Sequence, residues 1–245
     1  MLKKLSARNR GILTRYRSTS DAGLLFTPTQ LSGLQLWLDP RVGSGTSWPD
    51  QSGIGNNATL NNGPSFTTNA AGKPCVRFDG SNDYGITASN LGMSGNTAFS
   101  IAIWVTMLES GAAAICGWGN TGGFTAAGLW SSLASAGRIS AEYGSGNGAY
   151  SGTTKAANVR FMMVYTKAVG AIAANSKIYF DGNDAGSITG SSNTPNVTNS
   201  QFYVGQWGNY TGDPSAWGNF DCEHVMVFNR VLTAGEVTSL YNWYP

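Results

Sequence analysis

Bulky apolar residues alternate with polar ones over short runs and then give way to stretches rich in Gly, Ser, Thr and Asn. Leu34, Leu36 and Leu38 alternate with Gln35, Trp37 and Asp39, a period-two strand with bulky side chains on both faces. Cys75–Phe78 reads as a short strand closed by Asp79-Gly80, and Phe99–Met107 as a longer one rich in Ile, Val and Trp. Further strands are predicted at Ala113–Trp118, Arg138–Tyr143, Arg160–Tyr165, Lys177–Phe180, Phe202–Val204 and Glu223–Phe228. Turn-rich stretches such as Gly144–Gly148 and Gly190–Asn196 separate them. Many short strands punctuated in this way predict a sandwich or barrel. One helix is predicted, over about residues 234–241. Thr233 and Glu236 form a capping box at its start, and Val237, Leu240 and Tyr241 share one face.

Composition supports this class. The 245 residues suit one all-β sandwich and can bury a core without metal or disulfide staples. Charged residues are only 11% of the chain, too few for a helical bundle, while aromatics at 11% are too many for a disordered one. The three cysteines, Cys75, Cys116 and Cys222, have no metal-ligand spacing and read as buried thiols. No stretch approaches the ~20 apolar residues of a membrane span.

Charge divides the chain in two. Lys3, Lys4, Arg8, Arg10, Arg15 and Arg17 precede the first acid, Asp21. The remainder holds nine basic and thirteen acidic residues, a net of −4. Residues 1–30 therefore read as a basic N-terminal arm and residues 31–245 as the folded domain. The acidic body is a poor partner for nucleic acid. The arm lacks the apolar core of a secretory leader, although its Arg- and Ser-rich, acid-poor character also fits an organelle presequence. It has too few apolar residues to be held by its own domain alone, so the arm is expected to anchor on another chain.

Five segments resemble the laminin-G-like branch of the concanavalin A-like lectin/glucanase superfamily, and they occur in family order. They are Gly33-Leu34-Gln35-Leu36-Trp37-Leu38-Asp39; Trp48-Pro49-Asp50-Gln51-Ser52-Gly53 with Asn56-Asn57-Ala58; and Val76-Arg77-Phe78-Asp79-Gly80 running on to Asp83-Tyr84. The others are Ile178-Tyr179-Phe180-Asp181-Gly182, and the close from Phe220 through Asn229-Arg230 to Leu232-Thr233 and Glu236. The resemblance covers about residues 31–244 and implies two antiparallel sheets packed face to face as a jelly-roll sandwich. One short C-terminal helix closes it and an extended N-terminal arm precedes it. The resemblance decides little about activity, because this sandwich hosts enzymes, lectins and passive modules alike.

Catalytic chemistry finds little purchase. Glycosidases usually need two carboxylates across the bond, and the glucanase branch carries them as E-x-D-x-x-E on one strand. Glu109, Glu142, Glu223 and Glu236 do not form that pattern, and Glu236 is better explained as a cap. Cys222 and the single histidine, His224, are spaced by two and expected to share a strand face, where packing explains them better than catalysis. No catalytic residue is expected.

Two binding chemistries are open. Some relatives hold calcium, and Asp79, Asn82 and Asp83 lie in one loop, with Asp50 a possible neighbour; the alternative is that these residues form turns through their own backbone. Asp181-Gly182-Asn183-Asp184 reads as a hairpin turn. Sugar binding would use Trp118 and Asn120; Trp207, Asn209 and Tyr210; and Trp217 and Asn219, three W-G-N segments that combine stacking rings with paired amide donors and acceptors. Otherwise these rings fill the sandwich or a protein interface.

The expectation that follows is a non-enzymatic virion structural protein, a capsid decoration or appendage subunit. Its basic arm would be anchored on other virion subunits or on copies of itself. Laminin-G-like sandwiches similar to this one are frequent in phage and viral structural proteins. The alternative is a carbohydrate-binding, lectin-like module for host or surface attachment, extracellular or at a cell surface.

Overall fold

The computed structural model describes residues 26–109, 112–120, 125–132, 138–143, 147–206 and 217–244. In chain order the strands are β1 (Leu34–Leu38), β2 (Ser47–Trp48), β3 (Ala58–Asn61), β4 (Ser65–Thr68), β5 (Pro74–Asp79) and β6 (Tyr84–Asn90). They continue with β7 (Phe99–Met107), β8 (Ala112–Gly119), β9 (Ala126–Ser132), β10 (Arg138–Glu142), β11 (Gly148–Thr154) and β12 (Arg160–Lys167). The last are β13 (Ser176–Phe180), β14 (Asn183–Asp184), β15 (Ile188–Gly190), β16 (Gln201–Val204) and β17 (Asn219–Phe228), followed by helix α1 (Ala234–Trp243).

The strands form two antiparallel sheets, as expected. One runs β14-β13-β12-β7-β17-β5-β4, with β1 also paired to β17; the other runs β15-β11-β10-β9-β8-β16-β6-β3-β2. Between them lies a core that includes Leu36, Phe78, Ile103, Ile115, Trp118 and Phe202. A second apolar cluster covers the outer face of the eight-stranded sheet. There Val237 and Leu240 of α1 pack with Trp104, Met226 and Phe228. This is why β7 is buried at every position: Ile101, Ile103 and Val105 point inward while Ala102 and Trp104 point under the helix.

The capping box predicts the start of α1 correctly. Thr233 accepts the Glu236 amide, and Glu236 accepts the Thr233 amide at 2.8 Å. Arg230 adds two hydrogen bonds to the Glu236 carboxylate, and these with the cap hold it down at about 2. The Asp181-Gly182 turn is also as read: both residues have positive φ (51° and 80°) and join β13 to β14.

The structure corrects the reading of Cys222 and His224. Cys222 pairs with Val105 and His224 with Trp104, leaving Glu223 as an extra residue in a β-bulge. Cys222 therefore lies in the inter-sheet core, while His224 lies on the outer face among Trp37, Trp104, Trp243 and Tyr244. The bulge falls where β17 exchanges β5 for β1 as its neighbour.

The anchoring residues Lys3, Lys4, Arg8, Arg10, Arg15 and Arg17 lie outside the described residues. The end of that segment does meet the sandwich: Phe26, like Leu31 at the start of the domain, packs against the cluster under α1. Among the described residues no helix is long and apolar enough to cross a membrane.

Candidate functional site

The one α-helix among the described residues lies on the outer face of the eight-stranded sheet, so the outer face of the nine-stranded sheet carries none. Strand alternation puts Phe202 and Val204 of β16 into the core and points Gln201 and Tyr203 to the opposite face, where Tyr203 is 8% exposed. Around them lies a groove of about 490 Å³, lined by Ala88, Ser89, Asn90, Asn120, Ser200, Gln201 and Tyr203.

The backbone of this groove is fixed by hydrogen bonds. Gln201 Nε2 donates to the Thr87 carbonyl at 2.8 Å, and the Thr87 hydroxyl accepts the Phe202 amide at 2.9 Å. The Ser200 hydroxyl accepts the Gly119 amide at 2.7 Å, and the Thr125 hydroxyl donates to the Asn120 carbonyl at 2.7 Å. Asn90 and Asn120 are exposed. Each amide offers a donor and an acceptor in one plane, the pattern that a pair of adjacent sugar hydroxyls can satisfy.

An aromatic cluster adjoins the groove. The Tyr203 ring lies 6.3 Å from that of Tyr84, which lies 6.0 Å from that of Trp217. Burial pushes the Tyr203 phenol upward, with the neighbouring Tyr84 adding to it, so the hydroxyl stays protonated and can donate. Trp217 is held here by a close backbone approach: the Gly218 amide donates to the Gly205 carbonyl at 3.3 Å. A Cβ on Gly218 would fall 2.6 Å from the Ala114 carbonyl oxygen.

The structure sorts the residues expected to bind sugar. Asn120 and Trp217 belong to this surface. Trp118 does not, which corrects the expectation: it is 1% exposed, packs against Phe99 and Phe202, and donates from Nε1 to the Met93 carbonyl. A β-bulge between Ala114 and Cys116 turns it inward. Gly119, at φ +103°, then turns Asn120 out to solvent. Asn219 begins β17 opposite Asp79 in the other sheet, so it does not join Trp217. Trp207, Asn209 and Tyr210 lie outside the described residues. Sequence reasoning missed Asn90, Ser200, Gln201, Tyr203 and Tyr84. The alternation through Gln201–Val204 could have exposed Tyr203.

The remaining polar candidates are occupied structurally. The Asp79 carboxylate accepts the Ser81 amide, and Asp83 Oδ2 accepts the Asp79 amide, the backbone turn that competed with calcium, while Asp83 Oδ1 is buried with no partner among the described residues. Burial raises the Asp83 carboxyl, which disfavours the charged form a hard cation needs. Asp50 is committed to its own loop, accepting the amides of Trp37, Ser52, Gly55 and Asn56. Among the described residues no group of three or more His, Cys, Asp and Glu side chains is placed to hold a metal ion. Of the carboxylates weighed for glycosidic cleavage, Glu223 is buried in an ion pair with Arg160 and Glu236 caps α1; Asp221, beside Glu223 on β17, takes a bidentate Arg77.

A family model described as the concanavalin A-like lectin/glucanases superfamily matches residues 79–238. The chain belongs to this superfamily. Solved structures share the superfamily sandwich. The binding domain of Paraclostridial Mosquitocidal Protein 1 aligns with a TM-score of 0.65 at 14% identity, over 86% of this chain and 52% of that one. A botulinum neurotoxin type C structure, whose cell entry is described as dependent on two ganglioside molecules, aligns with a TM-score of 0.62 at 15% identity, over 86% and 51%. Trypanosoma rangeli sialidase in complex with sialic acid aligns with a TM-score of 0.60 at 20% identity, over 86% and 33%. The chain thus spans a third to a half of these proteins, and at such identities the likeness is one of fold. Comparison with curated proteins gives no match.

Proposed function

We propose that this chain is a non-enzymatic, lectin-like module that takes up a glycan on the outer face of its nine-stranded sheet. The observation that carries this is the continuity of the Asn90–Asn120–Gln201 groove with the Tyr203–Tyr84–Trp217 rings. Polar side chains would read hydroxyls while the rings would take the apolar face of a sugar. The neurotoxin neighbour, whose cell entry depends on interaction with two ganglioside molecules, and the mosquitocidal binding domain support this direction. A single sugar would bind at roughly millimolar affinity, about 4 kcal/mol, and many copies on one surface would raise it through avidity.

The test is a glycan array with the full chain, followed by calorimetry on each hit with Asn120→Ala and Gln201→Ala. Loss of binding with an unchanged thermal midpoint supports the reading. No hit, or hits that both variants retain, overturns it.

A second reading rests on charge segregation: six basic residues precede the first acid, ahead of a body of net charge −4. It makes the same module a virion decoration or appendage subunit anchored by its arm. Deleting residues 1–25 would then abolish incorporation into the particle while the sandwich stays folded. Normal incorporation of the truncated chain would remove this reading.

A further inference from the structure

The strand register of the nine-stranded sheet carries the outer face beyond the groove. Tyr203 of β16 pairs with Gly117 of β8, Gly117 with Gly128 of β9, and Gly128 with Glu142 of β10. Paired residues share a face, so this row runs from Tyr203 to Glu142 across two positions with no side chain. At about 4.8 Å per strand the row is about 14 Å long. The neighbouring row sets Trp130 of β9 and Tyr150 of β11 on either side of Ser140. The inner residues of these strands, Leu129, Ile139, Ala141 and Ala149, lie in the core, which fixes Trp130, Ser140, Glu142 and Tyr150 as outward.

Glu142 is the one acid on this row. Its Oε1 accepts the Ser140 hydroxyl at 2.9 Å and its Oε2 accepts the Tyr150 hydroxyl at 3.3 Å. No lysine or arginine forms an ion pair with it among the described residues. This differs from Asp39, Asp221, Glu223 and Glu236, each of which is neutralised by an arginine. Burial raises the Glu142 carboxyl from its ordinary value, and the Ser140 and Tyr150 hydrogen bonds oppose that rise; in its ionised form this carboxylate accepts hydroxyl donors and repels anions.

We propose that Glu142, Ser140, Trp130 and Tyr150 form a second subsite on the same face, so that the ligand is a neutral oligosaccharide and acidic glycans are excluded. This rests on the lectin-like reading and adds to it the length and charge class of the glycan. A monosaccharide cannot reach from Tyr203 to Glu142, whereas an oligosaccharide laid across the strands can.

The experiment compares the full chain with Glu142→Gln and Trp130→Ala. The probes are arrayed cellotetraose and its C6-oxidised tetraglucuronate counterpart, and lactose against sialyllactose, alongside the neutral hits of the wider array. Measurements are made at neutral and mildly alkaline pH, and thermal midpoints check folding. The expected result is wild-type binding of neutral but not acidic partners, and weaker binding of the long neutral glycans by Trp130→Ala. Glu142→Gln should tighten acidic binding roughly fivefold, the factor that one unit charge contributes at contact distance in water. If wild-type protein takes acidic partners as well as neutral ones, the inference fails. It fails equally if Glu142→Gln leaves the preference unchanged while Asn120→Ala and Gln201→Ala still abolish binding; the lectin-like reading then survives alone. Absence of all glycan binding overturns both.

Discussion

The side chains of Cys222 and His224, two apart in sequence, lie on opposite faces of β17. The bulge at Glu223 that separates them delivers the only imidazole of the chain into an aromatic box. Trp37 Nε1 donates to its Nδ1 at 3.4 Å, and the Tyr244 ring meets it edge-on at 4.3 Å. Its Nε2 is buried with no partner among the described residues.

That environment makes the fold acid-sensitive. Burial depresses His224 from its ordinary 6.5 to about 3; nearby Asp39 opposes the shift, and Arg41 and Arg160 add to it. The unfolded chain takes up a proton below 6.5 while the folded one does not, so stability is present above that pH and is lost as pH falls towards about 3. The slope is about 1.4 kcal/mol per pH unit inside this window. Asp39 lies 4.0 Å from the ring, but burial and a bidentate Arg41 act on its carboxylate, with Arg41 prevailing to hold it below the usual range. Urea midpoints of wild type and His224→Phe should diverge progressively from pH 6.5 downwards. Parallel profiles would show that the buried imidazole titrates as it does in the unfolded chain.

Arg160 and Glu223 form the second device at the bulge. Glu223 is fully buried, accepts Arg160 Nε at 2.8 Å and Asn69 Nδ2 at 2.7 Å, and has no water-facing side. Arg160→Met leaves this carboxylate buried against one amide and should cost about 3–5 kcal/mol. Adding Glu223→Gln removes the stranded charge and should recover part of that loss, which denaturant titration of the three variants will resolve. A double variant no more stable than Arg160→Met would mean that Arg160 acts through its packing on Tyr244, over whose ring it lies at 5.3 Å.

The strands that were legible in the sequence are those whose own residues are bulky and apolar. Phe99–Met107 is recovered to the residue, and Glu223–Phe228 is recovered as the apolar half of β17. Strands β6, β9 and β11 were not legible, because Tyr84–Asn90, Ala126–Ser132 and Gly148–Thr154 are built largely of Gly, Ala, Ser and Thr. Their burial comes from neighbouring strands rather than from their own pattern. The candidate site takes Tyr84 and Ala88–Asn90 from β6, which was not legible, and Gln201 and Tyr203 from β16, where Phe202–Val204 was read as a strand but Tyr203 was not read as a site residue. Asn120 was found by its W-G-N context, but the same context misplaced Trp118, since simple alternation from Ile115 would turn it outward. A bulge changes the parity of every residue after it, and nothing in the local composition announces one.

The two described W-G-N tryptophans should consequently separate stability from binding. Trp118 is buried between Phe99 and Phe202, with its ring nitrogen bonded to the Met93 carbonyl at 3.2 Å. Trp118→Ala removes a large core side chain and leaves that carbonyl unpaired, for a loss of about 3–5 kcal/mol. Trp217 is only half-buried and its described ring contact is with Tyr84, so Trp217→Ala should cost about 0.5–1.5 kcal/mol. Its effect on glycan affinity should be the larger one, because the ring completes the row that adjoins the groove. Thermal midpoints and glycan titrations on both variants give the comparison. A Trp217→Ala protein that melts early and still binds, beside a Trp118→Ala protein that is stable and does not, would reverse the assignment of the two rings and remove the outer face of the nine-stranded sheet as the binding surface.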